Sequence, residues 1–318
     1  DKLNYFIRIK FFYMLDYAGL EALAAVLREG SFDRAARKLH VTPSAISQRI
    51  KLLEERLGQV LVMRGAPCTG TEAGRRLCLH VEQVALLENE LRRNNPELVP
   101  EGQVARPTLK LAVNADSLNS WFVDAMAAFT QEGNELLDIS IDDQDHTAKR
   151  IKEGEVMAAV TASSSHITGC NIWPLANMQY VAAASPAFIA RYFGAQGINA
   201  QTLSQAPVLT YDRKDAMQDK WLHQQGVSAR HAPPRHWVPS AHAFVRACEA
   251  GVAWGMHPTV LIREHLANGS LVELLPGSGI PVPLYWAHAR NAQTGLERLT
   301  QCVINAAQAW LEPIDPKP

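Results

Sequence analysis

The chain has 318 residues, of which 47% are hydrophobic and 20% charged, and its net charge is −1. That length exceeds one ordinary domain, and that balance excludes a disordered or low-complexity chain. It also excludes a uniformly basic nucleic-acid binder, although the charge is uneven: +2 over residues 1–13, +1 over 14–98 (12 basic, 11 acidic) and −4 over 99–318 (16 basic, 20 acidic).

The five cysteines, Cys68, Cys78, Cys170, Cys248 and Cys302, are odd in number and scattered, with no CxxC spacing. Neither a disulfide framework nor a metal site is expected, and a reducing cytoplasmic compartment is. No apolar run approaches the roughly 18 residues of a membrane span. Residues 1–13 are aromatic-rich but interrupted by Arg8 and Lys10, and Met14 follows them. They read as a leader or upstream-start extension.

Tyr17–Glu29 reads as a helix with an apolar stripe of Tyr17, Leu20, Leu23, Ala24 and Leu27, stopped by Gly30. Ser31 caps a second helix over residues 32–39. After a short turn, Thr42 caps a third helix that starts at Pro43 and ends at Gly58. Its expected buried face is Ala45, Ile46, Ile50, Leu53 and Leu57, and its other face offers Ser44, Ser47, Gln48, Arg49 and Lys51. Such an arrangement is a helix-turn-helix, whose second helix enters the major groove of double-stranded DNA. Gln suits adenine and Arg suits guanine, while Arg34, Thr42 and the helix N-terminus suit phosphates. The run 60–64 reads as a strand of a wing carrying Arg64, followed by a Gly/Pro loop. Arg49 and Lys51 are also spaced to pair with Glu54 and Glu55.

The spaced pattern from Ser31 to Gly58 (Ala35, Ala36, Leu39, Val41, Thr42, Ser44, Ala45, Ser47, Ile50, Leu53, Glu54, Leu57), with Arg64 and Thr71-Glu72-Ala73-Gly74, resembles the LysR-type transcriptional regulators. The resemblance implies a cytoplasmic regulator that meets RNA polymerase at its target promoters. One departure is the wing tip, Gly65-Ala66-Pro67-Cys68, where many members carry further basic residues.

Between Thr71 and Asn94 the only glycine is Gly74 and there is no proline; Leu77, Val81, Val84, Leu87 and Leu91 recur three and four apart. This predicts a helix of roughly 36 Å with a narrow seam, suited to pair two chains into a homodimer and to build a homotetramer. The prolines and Gly102 of residues 94–107 read as a hinge.

Beyond the hinge, strand-like and helix-like runs alternate, which predicts a mainly parallel α/β sheet in two lobes with a ligand cleft beyond the strand ends. The expected strands are 109–113, 137–142, 156–161, 180–184, 208–211, 236–238, 253–256 and 284–288. The expected organisation is a leader (1–13), a winged helix-turn-helix (14–71), a linker helix and hinge (72–98) and an effector-binding domain (106–313). In that domain lobe I takes about 106–175 and 281–313 and lobe II about 176–280, the two-lobed periplasmic-binding-protein-like form the resemblance also implies.

Residues just after strands are the candidate ligand contacts: Asp116, Ser117, Asp143 (with Asp142 and Asp145), Thr161, Asp212 and His257. Ser117 is placed to cap a helix over residues 118–132 and to bind a carboxylate there, and the acids suit a cationic group. The segments Leu-Ala-Val-Asn-Ala-Asp-Ser at 111–117, Gly154-Glu155-Val156 with Ala159-Val160, Trp121 and Leu284-Tyr285-Trp286 resemble the ArgP/LysG subgroup. That resemblance implies control of basic amino acid export or metabolism, with lysine or arginine as effector. The same subgroup also carries an alternative role, an architectural inhibitor of replication initiation with no obligatory effector. No GxSxG, HExxH, P-loop or strand-linked GxGxxG occurs, so no catalytic residues and no cofactor are expected.

Overall fold

The computed structural model describes residues 15–95, 97, 106–141, 147–163 and 169–314. The leader 1–13 and the candidate Asp143, with Asp142 and Asp145, lie outside the described residues.

The described residues open with three helices: α1 (Tyr17–Glu29), α2 (Phe32–Lys38) and α3 (Pro43–Leu57). Their ends follow local chemistry. The Ser31 hydroxyl accepts the Arg34 N–H at 3.4 Å, and Thr42 Oγ1 accepts the Ala45 N–H at 3.2 Å. Gly58 ends α3 at φ 66°, a left-handed conformation that costs a glycine nothing. Leu20, Leu23, Val26, Ala35, Ala36, Ile46, Ile50 and Leu53 form one core, with the small alanines letting the helices close up. Three expected members are not in it, among them the half-buried Ala45. Leu57 is 39% exposed, and Tyr17 points outward, its hydroxyl 3.4 Å from His80 Nε2.

The wing is shorter than the sequence suggested: β1 (Val62–Met63) pairs antiparallel with β2 (Thr69–Gly70). Its base is held from α3, because Glu54 Oε1 accepts the N–H groups of Leu61 (2.7 Å) and Val62 (3.3 Å). Glu54 therefore serves the wing rather than Arg49, whereas Lys51 does meet Glu55 at 3.7 Å.

Helix α4 (Glu72–Asn94) has two distinct faces. Cys78 joins the N-terminal core, while Leu79 and Leu86 join the core of the C-terminal domain. Glu82, Gln83 and Asn89 are buried between them. Of the stripe expected to form a seam, Leu77 and Val81 pack against the N-terminal core, while Leu87 and Leu91 stay outside, 48% and 55% exposed. No described helix is long and apolar enough to cross a membrane.

The C-terminal domain holds a mixed sheet. Its strands are β3 (Thr108–Val113), β4 (Leu136–Ile141), β5 (Ala158–Thr161), β6 (Cys170–Ala184), β7 (Val208–Thr210), β8 (Arg235–Trp237), β9 (Gly255–Pro258), β10 (Val272–Glu273) and β11 (Ile280–Ala289). In lobe I, β3 runs parallel to β4 and β5. In lobe II, β7 runs parallel to β8, and Val208 bridges in parallel to Trp254 beside β9. The long strands β6 and β11 pair antiparallel along their length, and β11 is also antiparallel to β5. The expected mainly parallel sheet is thus corrected: two antiparallel strands form its spine. Most of β6 was illegible because Pro174 signals a break; in the structure it sits opposite Tyr285, where the β6–β11 register shifts.

Around this sheet lie α5 (Ala115–Leu118), α6 (Phe122–Gln131), α7 (Thr147–Lys152), α8 (Pro186–Tyr192), α9 (Ala200–Leu203), α10 (Met217–Gln224), α11 (Ala241–Glu249), α12 (Thr259–Asn268) and α13 (Gln293–Trp310). The tryptophans Trp121, Trp221, Trp254 and Trp286 are fully buried and anchor the two lobes.

Candidate functional site

The outer face of α3 carries Ser44, Gln48 and Lys51 in the open, with Ser47 and Arg49 half-buried at its margins. Pro43 lacks an N–H and the Ala45 N–H is taken by Thr42, whose Oγ1 also lies 3.0 Å from Ser44 Oγ. Thr42 is therefore held in place as the cap, and Gln48 stands one turn further along the same face. Arg64 reaches back from the wing to stack over the Phe32 ring, 5.1 Å from its centroid, with its side chain exposed. Arg34 caps the end of α1: its Nε donates to the Glu29 carbonyl at 2.8 Å and Nη2 donates to the same oxygen, while the residue stays exposed.

The second site is a cleft of about 530 Å³ between the lobes. Lobe I gives it Asn114, Asp116 and Ile141, from the ends of β3 and β4. Lobe II gives it Tyr211, Asp212, Lys214, Asp215 and Ala216 from one loop, the first turn of α10, Phe244 and Val245 of α11, and the end of β9 with His257. Tyr180, on the β6 spine, also lines it.

The acids are held differently. Asp116 Oδ2 accepts the Tyr180 hydroxyl at 2.6 Å. Burial pushes the Asp116 carboxyl above the usual carboxylate range, the Tyr180 bond pulls the other way, and the Asp215 charge adds to the rise. Burial and the neighbouring Asp116 keep Tyr180 protonated far above the ordinary tyrosine range. Asp215 is a loop organiser: Oδ2 accepts the Tyr211 N–H and Oδ1 the Met217 N–H, both at 3.0 Å. Asp212 Oδ1 accepts the N–H groups of Lys214 (2.8 Å) and Asp215 (3.0 Å). Two buried side-chain acceptors in the cleft wall, Asn114 Oδ1 and Gln218 Oε1, have no hydrogen-bond partner among the described residues. With three carboxylates against one lysine, Lys214, and unsatisfied acceptors, these walls suit a ligand that brings N–H donors and positive charge.

His257 is buried against the cleft, its Nε2 3.2 Å from Cys248 Sγ and its ring edge-on to Phe244. Burial, helped by His265, pushes its pKa down to about 3, so it is a neutral wall residue and carries no charge to a ligand. Two expected contacts are corrected. Ser117 is fully buried as the third residue of α5, where it caps nothing, and it is not among the described lining residues. The helix expected over 118–132 is split at Asn119–Ser120, and Ser120 Oγ donates back to the Asp116 carbonyl at 2.6 Å. Thr161 is likewise buried off the cleft, its hydroxyl accepting the Ser163 N–H at 3.1 Å.

Residues 18–75 match the family described as bacterial regulatory helix-turn-helix protein, lysR family, and residues 102–311 match the LysR substrate binding domain. The chain belongs to the LysR family. It is 44% identical over 302 residues to the HTH-type transcriptional regulator ArgP of Pseudomonas fluorescens, covering 95% of this chain and 100% of that one. Among solved structures, ArgP from Mycobacterium tuberculosis superposes with a TM-score of 0.77 at 39% identity, covering 95% and 100% of the two chains. The full-length LysG of Corynebacterium glutamicum with bound effector Arg superposes with a TM-score of 0.71 at 31% identity, covering 94% and 100%.

The chain is thus a LysR-type transcriptional regulator and not an enzyme. Within that frame, the reading of strand ends brought Asp116, Asp212 and His257 to one cleft and missed Tyr180, Tyr211, Asp215 and Gln218. Tyr180 was missed because its strand was read only from residue 180 onward, which hid its place on the shared spine. Among the described residues, no group of three or more His, Cys, Asp or Glu is placed to hold a metal ion.

Proposed function

We propose that this LysR-family regulator binds a basic amino acid, lysine or arginine, in the cleft between its lobes, and thereby controls transcription of genes for that amino acid's export or metabolism. The observation that carries the reading is the pairing of Asp116 and Asp212 across a cleft whose buried Asn114 and Gln218 acceptors are unsatisfied. A ligand made of N–H donors and positive charge answers both features at once. The LysG relative crystallised with arginine adds support, as a property of that protein.

On the DNA side, Ser44, Ser47, Gln48, Arg49 and Lys51 read and clamp the operator, Thr42 caps the reading helix, and Arg64 contacts the flanking backbone. The exposed Leu87 and Leu91 side of α4 joins two chains into a homodimer, two of which make a homotetramer. The regulator works in the cytoplasm, alongside RNA polymerase at its promoters.

The test is a thermal-shift titration with lysine, arginine and a neutral amino acid, read beside a gel shift on the promoter region next to its own gene. A ligand at about 100 times its Kd adds roughly 2.7 kcal/mol of stability by mass action, which is several degrees in Tm. Lysine or arginine, but not the neutral amino acid, raises Tm and alters the shifted band. DNA binding with no response to either amino acid would instead favour an architectural role.

A further inference from the structure

The three cleft acids differ in what occupies their oxygens. Asp215 and Asp212 accept backbone N–H groups that define their own loop. Asp116 instead accepts a side-chain donor, the Tyr180 hydroxyl, at 2.6 Å on Oδ2. That donor stands on β6, the strand shared by both lobes, so its position does not depend on the lobe II loop. It stays protonated at every ordinary pH because burial and Asp116 itself oppose its ionisation.

A carboxylate with one oxygen engaged is a selective acceptor. An ammonium is a compact point charge and is satisfied by one oxygen. A guanidinium is a planar fork that gains most when it meets both oxygens. We infer that Tyr180 is a positioning residue that sets the cleft's choice between the two: by engaging Asp116 Oδ2 it leaves one oxygen to the ligand and favours an ammonium-bearing side chain over a guanidinium-bearing one. This rests on the reading that the cleft takes a basic amino acid. It goes further by naming the side chain that ranks lysine above arginine, and by placing that choice in lobe I.

The experiment is isothermal titration calorimetry of the full-length protein with lysine and with arginine, for the unaltered chain, Tyr180→Phe and Asp116→Asn. The unaltered chain binds lysine more tightly than arginine. Tyr180→Phe frees the second oxygen and moves the affinity ratio toward arginine by about tenfold, the scale of one charge-assisted hydrogen bond. Asp116→Asn weakens both ligands and erases the preference. A merely structural Tyr180 would change both affinities equally and leave the ratio alone, and that result overturns the inference while the effector reading stands. Arginine bound more tightly than lysine by the unaltered chain also overturns it, without recourse to any variant. Binding of neither amino acid overturns the effector reading and this inference together.

Discussion

Lys110 Nζ lies 2.7 Å from Glu82 Oε1, which ties the first strand of the sensing domain to the long helix that carries the DNA-binding unit. Glu82 is buried with only 7% of its side chain exposed, so the pair is more than surface decoration. Beyond Lys110, β3 continues to Val113 and delivers Asn114 and Asp116 to the cleft wall. Arg75 meets Glu153 at 3.4 Å and Arg93 meets Glu135 at 3.7 Å on either side of it. Lys110→Met is expected to leave effector affinity within about twofold while cutting the effector's influence on operator affinity, a coupling that typically amounts to 1–3 kcal/mol in such systems. Calorimetry and a gel shift on the same preparation check both halves. Removing Lys110 also leaves Glu82 buried without its cation, at an expected cost of about 1–3 kcal/mol, less than for a fully buried pair because Lys110 is part-exposed.

The outer face of α3, proposed above to read the operator, is open to mutation. Gln48→Ala is expected to cost about 1–3 kcal/mol of operator affinity and to relax sequence preference, the signature of a lost base contact. Arg64→Ala is expected to weaken all sequences alike and to lower the salt slope by about one. Competition gel shifts at several salt concentrations separate the two. Equal losses on operator and random DNA for Gln48→Ala would count against its base-reading role.

Gly74 lies where α4 crosses the base of the wing. A Cβ placed there would stand 2.1 Å from the Leu61 carbonyl oxygen, a backbone atom that cannot swing away. Gly74→Ala is therefore expected to destabilise the N-terminal unit by about 2–4 kcal/mol, the range of severe packing strain. Thermal melts followed by circular dichroism, with lysine titration as a control on the cleft, show whether the damage stays in the DNA-binding unit.

Asp116 gives a pH prediction with a definite sign. Its folded carboxyl is raised by burial, so between the ordinary and the raised value the folded, ligand-free protein holds a proton there that the unfolded chain has already released. Stability from this group is full at low pH and is lost as pH rises through the folded pKa. Asp116→Asn is accordingly expected to raise Tm of the ligand-free protein at neutral pH. Effector affinity follows the opposite course, because a cation needs the ionised form: it falls as pH drops through the raised carboxyl range. Affinity measured from pH 4 to pH 8 checks this, with Asp116→Asn expected to flatten the profile.

How far the sequence could be read depends on how local the deciding interaction is. The ends of α2 and α3 were legible because Ser31, Thr42, Pro43 and Gly58 act within one turn of themselves. The stripe of α4 was legible as apolar, yet its opposite face was not, because Glu82 and Asn89 look like solvent-facing residues until Lys110 and Asn134 are brought to them. α12 was missed because Val260, Leu261 and Ile262 continue an apolar run out of β9, and only the lobe II core shows Ile262 as its sole fully buried face residue. In the cleft, the acids could be found from strand ends. The role of each could not, since Asp215 is committed by two backbone donors and Asp116 by a tyrosine 64 residues away.

A basic amino acid in this cleft is expected to reset the DNA-binding arms. Fluorescence anisotropy of a labelled operator, titrated with the regulator with and without saturating lysine, tests it most directly when Asp116→Asn is run in parallel. At a lysine concentration that just saturates the unaltered chain, operator affinity or the salt dependence of binding is expected to shift for that chain and to shift much less for the weaker-binding variant, while both bind DNA equally without ligand. Identical binding curves with and without lysine and arginine, or an equal response from Asp116→Asn, would contradict it.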